Sequence, residues 1–415
     1  MFRLCRIAFR NLLRYKRRTI MTGLLITVGI TAVLLFTAVA GSFKQLMVGQ
    51  ITDSMLGHIQ VHQRGYVSSI DNLPLDRVLM PKQAKMVTQW LEQNPHVEAY
   101  SKRVKFGAMI SNYLETTNVR MNGVDPEAEV ATVPLLPGRL LATDDDEVFL
   151  KRGQVLIPEL VSKGMGIKVG DSVALIATNK DGSVNGMQFA VAGVLEGVTG
   201  PGGRDGCMHI ADARELLRME EPQVSEIVIR LKQFDTLEQV ETNLAATLAD
   251  KVNTKNKPIF EVHTWERLSP FFNVAGMIDM LMLFVNILLV AIVLISVLNV
   301  MVTAVYERIR EIGTISAMGT PPGRIMSLFV IEGFLLGVTG AVIGTVLSVI
   351  VVAILNAVKL TFDFGRQEDL VLAPTMEPLS VVVTVVLVLV ISVLASLQPA
   401  NKAAKMEPVD ALRHV

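Results

Sequence analysis

Four charged residues, Glu307, Arg308, Arg310 and Glu311, stand in the string "VYERIREIGTISAMGTPPGRIMSLFVIEG" (305–333), between two long apolar runs. Glu307 with Arg310, and Arg308 with Glu311, are opposite charges three residues apart, the spacing that pairs side chains along an exposed helical turn. Ile309, Ile312, Ile315 and Met318 recur every three residues and lay an apolar stripe beside the charges. Gly319 suits a helix C-cap, and Pro321-Pro322 forbids continuation while suiting the start of a new helix. The spacing predicts a short amphipathic helix over 306–324. Its chemistry is docking: such a helix fits a groove on a soluble partner, or lies on a lipid surface.

Other chemistry is sparse. The chain has no G-x-x-x-x-G-K-[ST], H-E-x-x-H, G-x-S-x-G or C-x-x-C, so neither a phosphate-cradling loop nor a common hydrolytic or redox motif is present. No catalytic residue, resident cofactor, metal site or nucleic-acid partner is expected. His58 and His62 share one face of a strand, which suits either a solvated face or a metal pair. "VTGPGGRDG" (198–206) reads as a hairpin tip or an anion-binding nest. Asp279 and Glu332 are the ionisable groups of the apolar runs and both lie near run ends, an arrangement that argues against an ion-coupled carrier or a channel. Asn286 and Asn299 read as helix-packing contacts. So do Gly333, Gly337, Gly340 and Gly344, whose steps of 4, 3 and 4 open one helix face to close approach.

The elements that must position these residues follow from the hydropathy pattern. Of 415 residues 51% are hydrophobic, and the charges are unevenly spread. Ile20–Ala40, Leu281–Val305 and Leu379–Leu397 carry no charge and Ile325–Val358 only Glu332, so four helices are each long enough to cross about 30 Å of hydrocarbon. We assign the spans to 19–42, 272–305, 325–358 and 379–398. The first resembles a signal peptide in its basic flank and its Ala38-Val39-Ala40, but its apolar core is longer than the roughly 7–15 residues of a signal, so an uncleaved anchor is expected. Seven basic residues fall in the first 18 positions, with the first acid only at Asp53, and place the N-terminus in the cytoplasm. Segment 306–324 and the tail 399–415 then lie inside, while 43–271 and the loop 359–378 lie outside. Arg3, Arg6, Arg10, Arg14 and Arg17 stack on one face of a helix over 1–18, a membrane-surface element or a simple positive-inside anchor. Cys5 and Cys207 fall on opposite sides and cannot pair. As single helices the second and third spans exceed the bilayer, by tilting or by projecting outward as a stalk, with Asp279 marking the bilayer exit.

The polar stretch mixes strand and helix. "GHIQVHQRGY", "YSKRVKFGAMI", "TTNVRMNGV", "QVLI", "DSVALIAT", "MQFAVAGVLEG", "SEIVIRL" and "PIFEVHTW" read as strands. "PKQAKMVTQWLEQN" reads as a helix with Ala84, Val87 and Leu91 inward, and Thr236–Lys251 as a second. The expectation is a large α+β domain interrupted by a β-rich lobe at about 126–211. The fold class is a membrane protein with four transmembrane helices and this domain between the first two.

These residues carry a resemblance. "ERIREIGTISAMG" is similar to the coupling-helix signature of FtsX-like ABC permeases, an E-R-x-x-E-I-G-x-x-x-A-x-G string before the third span. "IAFRNLLRYKRRT" resembles the same family's entry into its first span, and "QPANKAAKMEPVDALR" its P-A-x-x-A-A-x-x-x-P-x-x-A-L-R ending. "GQVLIPELVSKGMGIKVGD" is similar to the MacB-type periplasmic core, and the chain layout to the LolC/LolE-like lipoprotein-releasing permeases. The resemblance implies a bacterial inner-membrane subunit paired with a second permease copy, identical or paralogous, and served by a cytoplasmic ABC ATPase dimer that binds the ATP and Mg. It implies that Glu307, Arg308, Arg310, Glu311, Ile312, Gly313 and Gly319 mediate ATPase contact. The cargo class is open: a lipoprotein or other amphiphile passed to a periplasmic chaperone, a peptide or drug exported through an adaptor, or no cargo but a mechanical signal to a cell-wall hydrolase. The apolar faces of Phe271–Leu289 and Phe36–Val48 are the candidate cargo contacts.

Overall fold

The computed structural model describes residues 2–14, 16–143, 149–198, 204–252, 256–364 and 367–407. They form two compact units, a helical one drawn from both ends of the chain and an outer one spanning Leu46–Ala275.

The helical unit holds a short helix, Phe2–Arg14, and four long ones: Lys16–Ile51, Phe271–Glu307, Pro322–Val358 and Pro378–Ala404. All four long helices are apolar enough to span a membrane. The second and third have 37 residues each, or about 56 Å at 1.5 Å per residue. Their outward faces are apolar: Leu283, Phe284, Ile287, Val346 and Ile350 are all exposed, the pattern of helices solvated by lipid. Packing is carried by Ile26, Ile30, Leu289, Val293, Val297 and Phe329.

The glycine face of the third span serves two neighbours. A Cβ on Gly333 would stand 2.6 Å from Ser396 Cβ, and one on Gly337 2.6 Å from Ser392 Oγ, both on the fourth span. A Cβ on Gly340 would meet Ile26 at 2.5 Å and one on Gly344 would meet Ile30 at 2.9 Å, both on the first. Asn286 and Asn299 do not act as expected. Asn286 donates to the carbonyl of Met282 on its own helix at 2.8 Å, and Asn299 is exposed. The loop after the third span is also more ordered than expected, with strands Leu360–Phe364 and Gln367–Leu372 paired as a ribbon.

The outer unit is built on ten strands: β1 (Ile59–Gln63), β2 (Val97–Ser111), β3 (Thr116–Val124), β4 (Leu140–Thr143), β5 (Gln154–Pro158), β6 (Ser172–Thr178), β7 (Val184–Leu195), β8 (Gly206–His209), β9 (Glu226–Leu231) and β10 (Phe260–Thr264). The base is an antiparallel sheet in the order β10-β1-β9-β2. Helices Pro81–Gln93 and Leu237–Ala249 cover it, burying Ala84, Val87 and Leu91 from one and Val240, Leu244 and Leu248 from the other. The same core takes Met47, Val48 and Ile51 from the end of the first spanning helix and Ala275 from the start of the second.

The other lobe closes on itself. β2 pairs β3, β3 pairs β8, β8 pairs β5, β5 pairs β7, β7 pairs β6, and β6 returns to β2, with β4 added outside β7. Closure removes free edges and encloses Phe106, Ile110, Met121, Val155, Val173, Leu175, Phe189 and Met208. β2 belongs to both lobes. Its first half, Val97 to Arg103, pairs β9, and from Val104 it pairs β3. The β-rich lobe therefore begins at Val104 and not near 126, because half of β2 and all of β3 are needed to close the barrel.

Candidate functional site

The charged segment between the second and third spans is shorter and more deeply set than its sequence suggests. The second span ends at Glu307, and Arg308 leaves helical geometry at φ −116°, ψ 20°. A nine-residue helix, Ile309–Ala317, follows in place of the expected 306–324. Gly319 takes the left-handed conformation at φ 87°, where a side chain would strain the backbone, and Pro322 opens the third span.

The seven predicted residues divide into two groups. Glu307 and Arg310 are exposed, as is Gly319, and Glu311 is partly so. Arg308, Ile312 and Gly313 are buried within the helical unit. Arg308, expected on the outward charged side, is 6% exposed. Its pairing with Glu311 holds, Nε to Oε2 at 3.1 Å, but its Nη1 also donates to Oε1 of Glu332 at 3.0 Å. The apolar stripe splits as well: Ile309 and Ile312 are buried, whereas Met318 is 73% exposed.

Glu332 is the centre of this arrangement. It is 1% exposed on the third span, where an unpartnered carboxylate would be costly. The same Oε1 that takes Arg308 also accepts Asn11 Nδ2, at 2.8 Å, from the N-terminal helix. Three residues further on, Arg14 Nη1 reaches Glu311 Oε1 at 3.4 Å. Arg308 also lies over the Phe329 ring, 5.8 Å from its centroid. Burial opposes the Arg308 charge, but the Glu332 carboxylate outweighs it and holds the guanidinium above its ordinary value. Lys402 Nζ donates to Tyr306 Oη at 2.8 Å on the adjoining turn of the second span. Sequence reasoning noted Glu332 without giving it a partner. Its signal was being the one charge in a long apolar run. Asn11 had no signal, since one amide among arginines looks like any surface residue.

The other candidates resolve differently. Asp279 receives Lys44 Nζ at 2.7 Å on both oxygens, and both side chains are substantially exposed. His58 and His62 are buried, not solvated. His58 Nδ1 accepts the Leu231 amide at 3.0 Å, and His62 Nε2 stands 3.4 Å from Glu226 Oε2. Among the described residues no group of three or more His, Cys, Asp or Glu is placed to hold a metal ion. Most of the 198–206 nest candidate lies outside the described residues. Cys207, just beyond it, is buried, and burial pushes its thiol up to about 12.

A second buried charge cluster ties the outer unit together. Arg103 Nη2 meets Glu129 Oε1 at 2.6 Å and Arg103 Nη1 meets Glu226 Oε1 at 3.1 Å, with Lys105 Nζ 3.3 Å from the same Glu226 oxygen. Ser101 Oγ donates to Glu129 Oε2 at 2.5 Å. Beside it lies a cavity of about 20 Å³ lined by Lys105, Glu129, Arg139 and Asp205, room for about one water molecule.

The comparisons with known proteins agree with this architecture. Residues 19–247 match the MacB-like periplasmic core domain, and residues 283–408 the FtsX-like permease C-terminal domain. The chain belongs to the FtsX/MacB family of ABC transporter permeases. It is 22% identical to the lipoprotein-releasing system transmembrane protein LolC of Neisseria meningitidis serogroup B, over 94% of this chain and 92% of that one. It is 24% identical to the ABC transporter permease YknZ of Bacillus subtilis, over 99% and 98%. The macrolide export ATP-binding/permease protein MacB 1/2 of Paracoccus denitrificans matches at 24% identity, over 98% of this chain and 58% of its own length. The permease is thus a multi-pass inner-membrane protein with a periplasmic MacB-like domain, of a family whose members work with a cytoplasmic ATPase.

Proposed function

We propose that this permease is a transmembrane subunit that takes up the ATP-driven motion of a separate cytoplasmic ATPase dimer through the 307–319 segment, and uses it to release a lipoprotein or similar amphiphile from the membrane. The observation carrying this reading is the division of the segment into two faces. Ile309, Ile312 and Arg308 are locked into the helical unit, while Glu307, Arg310, Thr314, Met318 and Gly319 face away from it. One face grips the spans; the other offers charges around an apolar methionine, the composition of a helix that seats in a partner's groove. Glu307, Arg310, Glu311 and Gly319 are the contact residues on this reading, and Arg308, Ile312 and Gly313 set the segment's position.

The amphiphile is supported by the second span, whose Met277, Met280, Leu281, Phe284 and Ile287 are all exposed. That face suits a second permease copy, with an acyl chain held between the two. The segment follows directly on Phe271–Glu307, whose first turns supply Ala275 to the outer-domain core. The experiment is to reconstitute the permease with its ATPase in proteoliposomes bearing a labelled lipoprotein. ATP-dependent release is expected, lost in R310E together with ATPase association. Hydrolysis without lipoprotein release, but with export of a peptide, would replace the cargo assignment. Undiminished ATPase association in R310E would remove the docking assignment.

A further inference from the structure

We propose that Asn11 is a positioning residue for coupling, and that the N-terminal helix moves with the 307–319 segment. This inference rests on the docking role assigned above to the 307–319 segment. It starts from one atom. Glu332 Oε1 accepts from Arg308 Nη1 at 3.0 Å and from Asn11 Nδ2 at 2.8 Å, so three separate elements meet on a single carboxylate oxygen. Those elements are the joint before the coupling helix, the third span and the N-terminal helix.

The meeting point is enclosed. Glu332 and Arg308 are 1% and 6% exposed and Asn11 is half-buried, so little water reaches the carboxylate when a contact opens. A buried carboxylate deprived of a donor loses a charge-assisted hydrogen bond and gains nothing in exchange. The three elements therefore keep their contacts more readily by moving together than by sliding past one another.

The N-terminal helix holds the joint twice. Ala8, one turn before Asn11, is fully buried and fits the helix against the unit. Arg14, one turn after it, reaches Glu311, whose other oxygen holds Arg308 Nε at 3.1 Å. Asn11 thus grips the joint through Glu332 and Arg14 grips it through Glu311. Arg6 and Arg10 are exposed. A helix serving only as an anchor needs the exposed arginines and has no use for an amide aimed at a buried carboxylate. A tilt of the coupling helix displaces Arg308, and Glu332 passes that displacement to the third span and the N-terminal helix at once.

The test uses the full permease–ATPase complex in nanodiscs, comparing N11A, N11D, the exchange N11D/E332Q, and R310E. N11A is expected to retain ATPase association with only a small drop in thermal stability, because Arg308 still holds Glu332, while permease-stimulated ATP hydrolysis falls about tenfold, the scale of a hydrogen bond to a charged group. N11D sets two carboxylates against each other and is expected to fall further. The exchange returns one carboxylate and one amide to the contact, with the amide now donating from the third span, and is expected to recover much of the stimulation. Wild-type stimulation in both N11A and N11D would overturn the proposal and leave the helix a passive anchor. So would a loss of stimulation that only tracks loss of thermal stability and is not recovered by the exchange. R310E separates the two readings: if it leaves ATPase association intact, the docking role fails, whatever Asn11 does.

Discussion

The helical unit and the outer unit each bury an arginine against a glutamate, yet the two networks have different consequences. In the outer unit Glu226 is fully enclosed, with Arg103, Lys105 and His62 around it. Arg103 is also the last β2 residue paired to β9, directly before the strand passes to the barrel, so the cluster pins the two lobes at their shared strand. In the helical unit the Arg308–Glu332 pair opens outward through Glu311 and Arg14, whose side chains are 42% and 69% exposed. An enclosed network holds one geometry because every departure strands a charge. One with an exposed edge can exchange partners there. The outer cluster suits a fixed body, the inner one a joint.

Substitution tests that contrast directly. E226A leaves Lys105 buried without its carboxylate and Arg103 with Glu129 alone, all of them enclosed, and is expected to cost about 3–5 kcal/mol, the usual penalty for breaking a buried pair. E332A is expected to cost less, about 1–3 kcal/mol, because Arg308 keeps Glu311 and can extend toward the exposed edge. Denaturant or thermal unfolding of the full chain in detergent measures both; equal losses would erase the distinction. G340A sharpens the packing side. Its Cβ would stand 2.5 Å from Ile26, so the first and third spans must separate, at about 1–3 kcal/mol, whereas G276A meets nothing and should melt at or slightly above wild type, since Ala favours a helix over Gly.

Acid gives a further comparison. Burial alone would raise Glu226, but Lys105, His62 and Arg103 outweigh it and hold the carboxyl well below the usual range. A folded-state value below the unfolded one means the stabilisation is complete above the ordinary Glu value of about 4.3, shrinks as pH falls from there and is gone once pH has passed the depressed value. The outer unit of wild type should therefore stay folded to lower pH than in E226Q, with near-ultraviolet circular dichroism following the transition. The smallest effect is expected at Lys44–Asp279, where both side chains are substantially exposed: D279N should change stability by no more than about 1 kcal/mol.

Much of this molecule is legible in the chain, and the reasons are local. The spans follow from runs with little or no charge, because a charge facing hydrocarbon is costly. The glycine face at 333–344 follows from its spacing, and the strands and helices of the outer domain from alternation and 3.6-residue periodicity. The cap at Gly319 and the restart at Pro321-Pro322 follow from residue type, whereas the break at Arg308, inside the expected 306–324 helix, had no local signal. The misreadings share one cause. Arg308 looked like a surface charge because its partner Glu332 lies 24 residues away, and Asn11 was invisible because its partner lies 321 residues away. His58 and His62 looked solvated because alternation identifies a face without saying what covers it. The lobe boundary was misplaced because closing the barrel calls on β2 and β3 from far outside the β-dense stretch.

Sequence alone determined which segments prefer lipid, which stretches are helix or strand, and which family of permeases the chain resembles, since each depends on neighbours within a few turns. Only tertiary structure decided that Glu332, Arg308 and Asn11 meet on one oxygen, that β2 serves two lobes, and which face of the coupling helix is left for a partner. Those outcomes depend on burial between distant segments, and no local pattern encodes the partner of a buried charge.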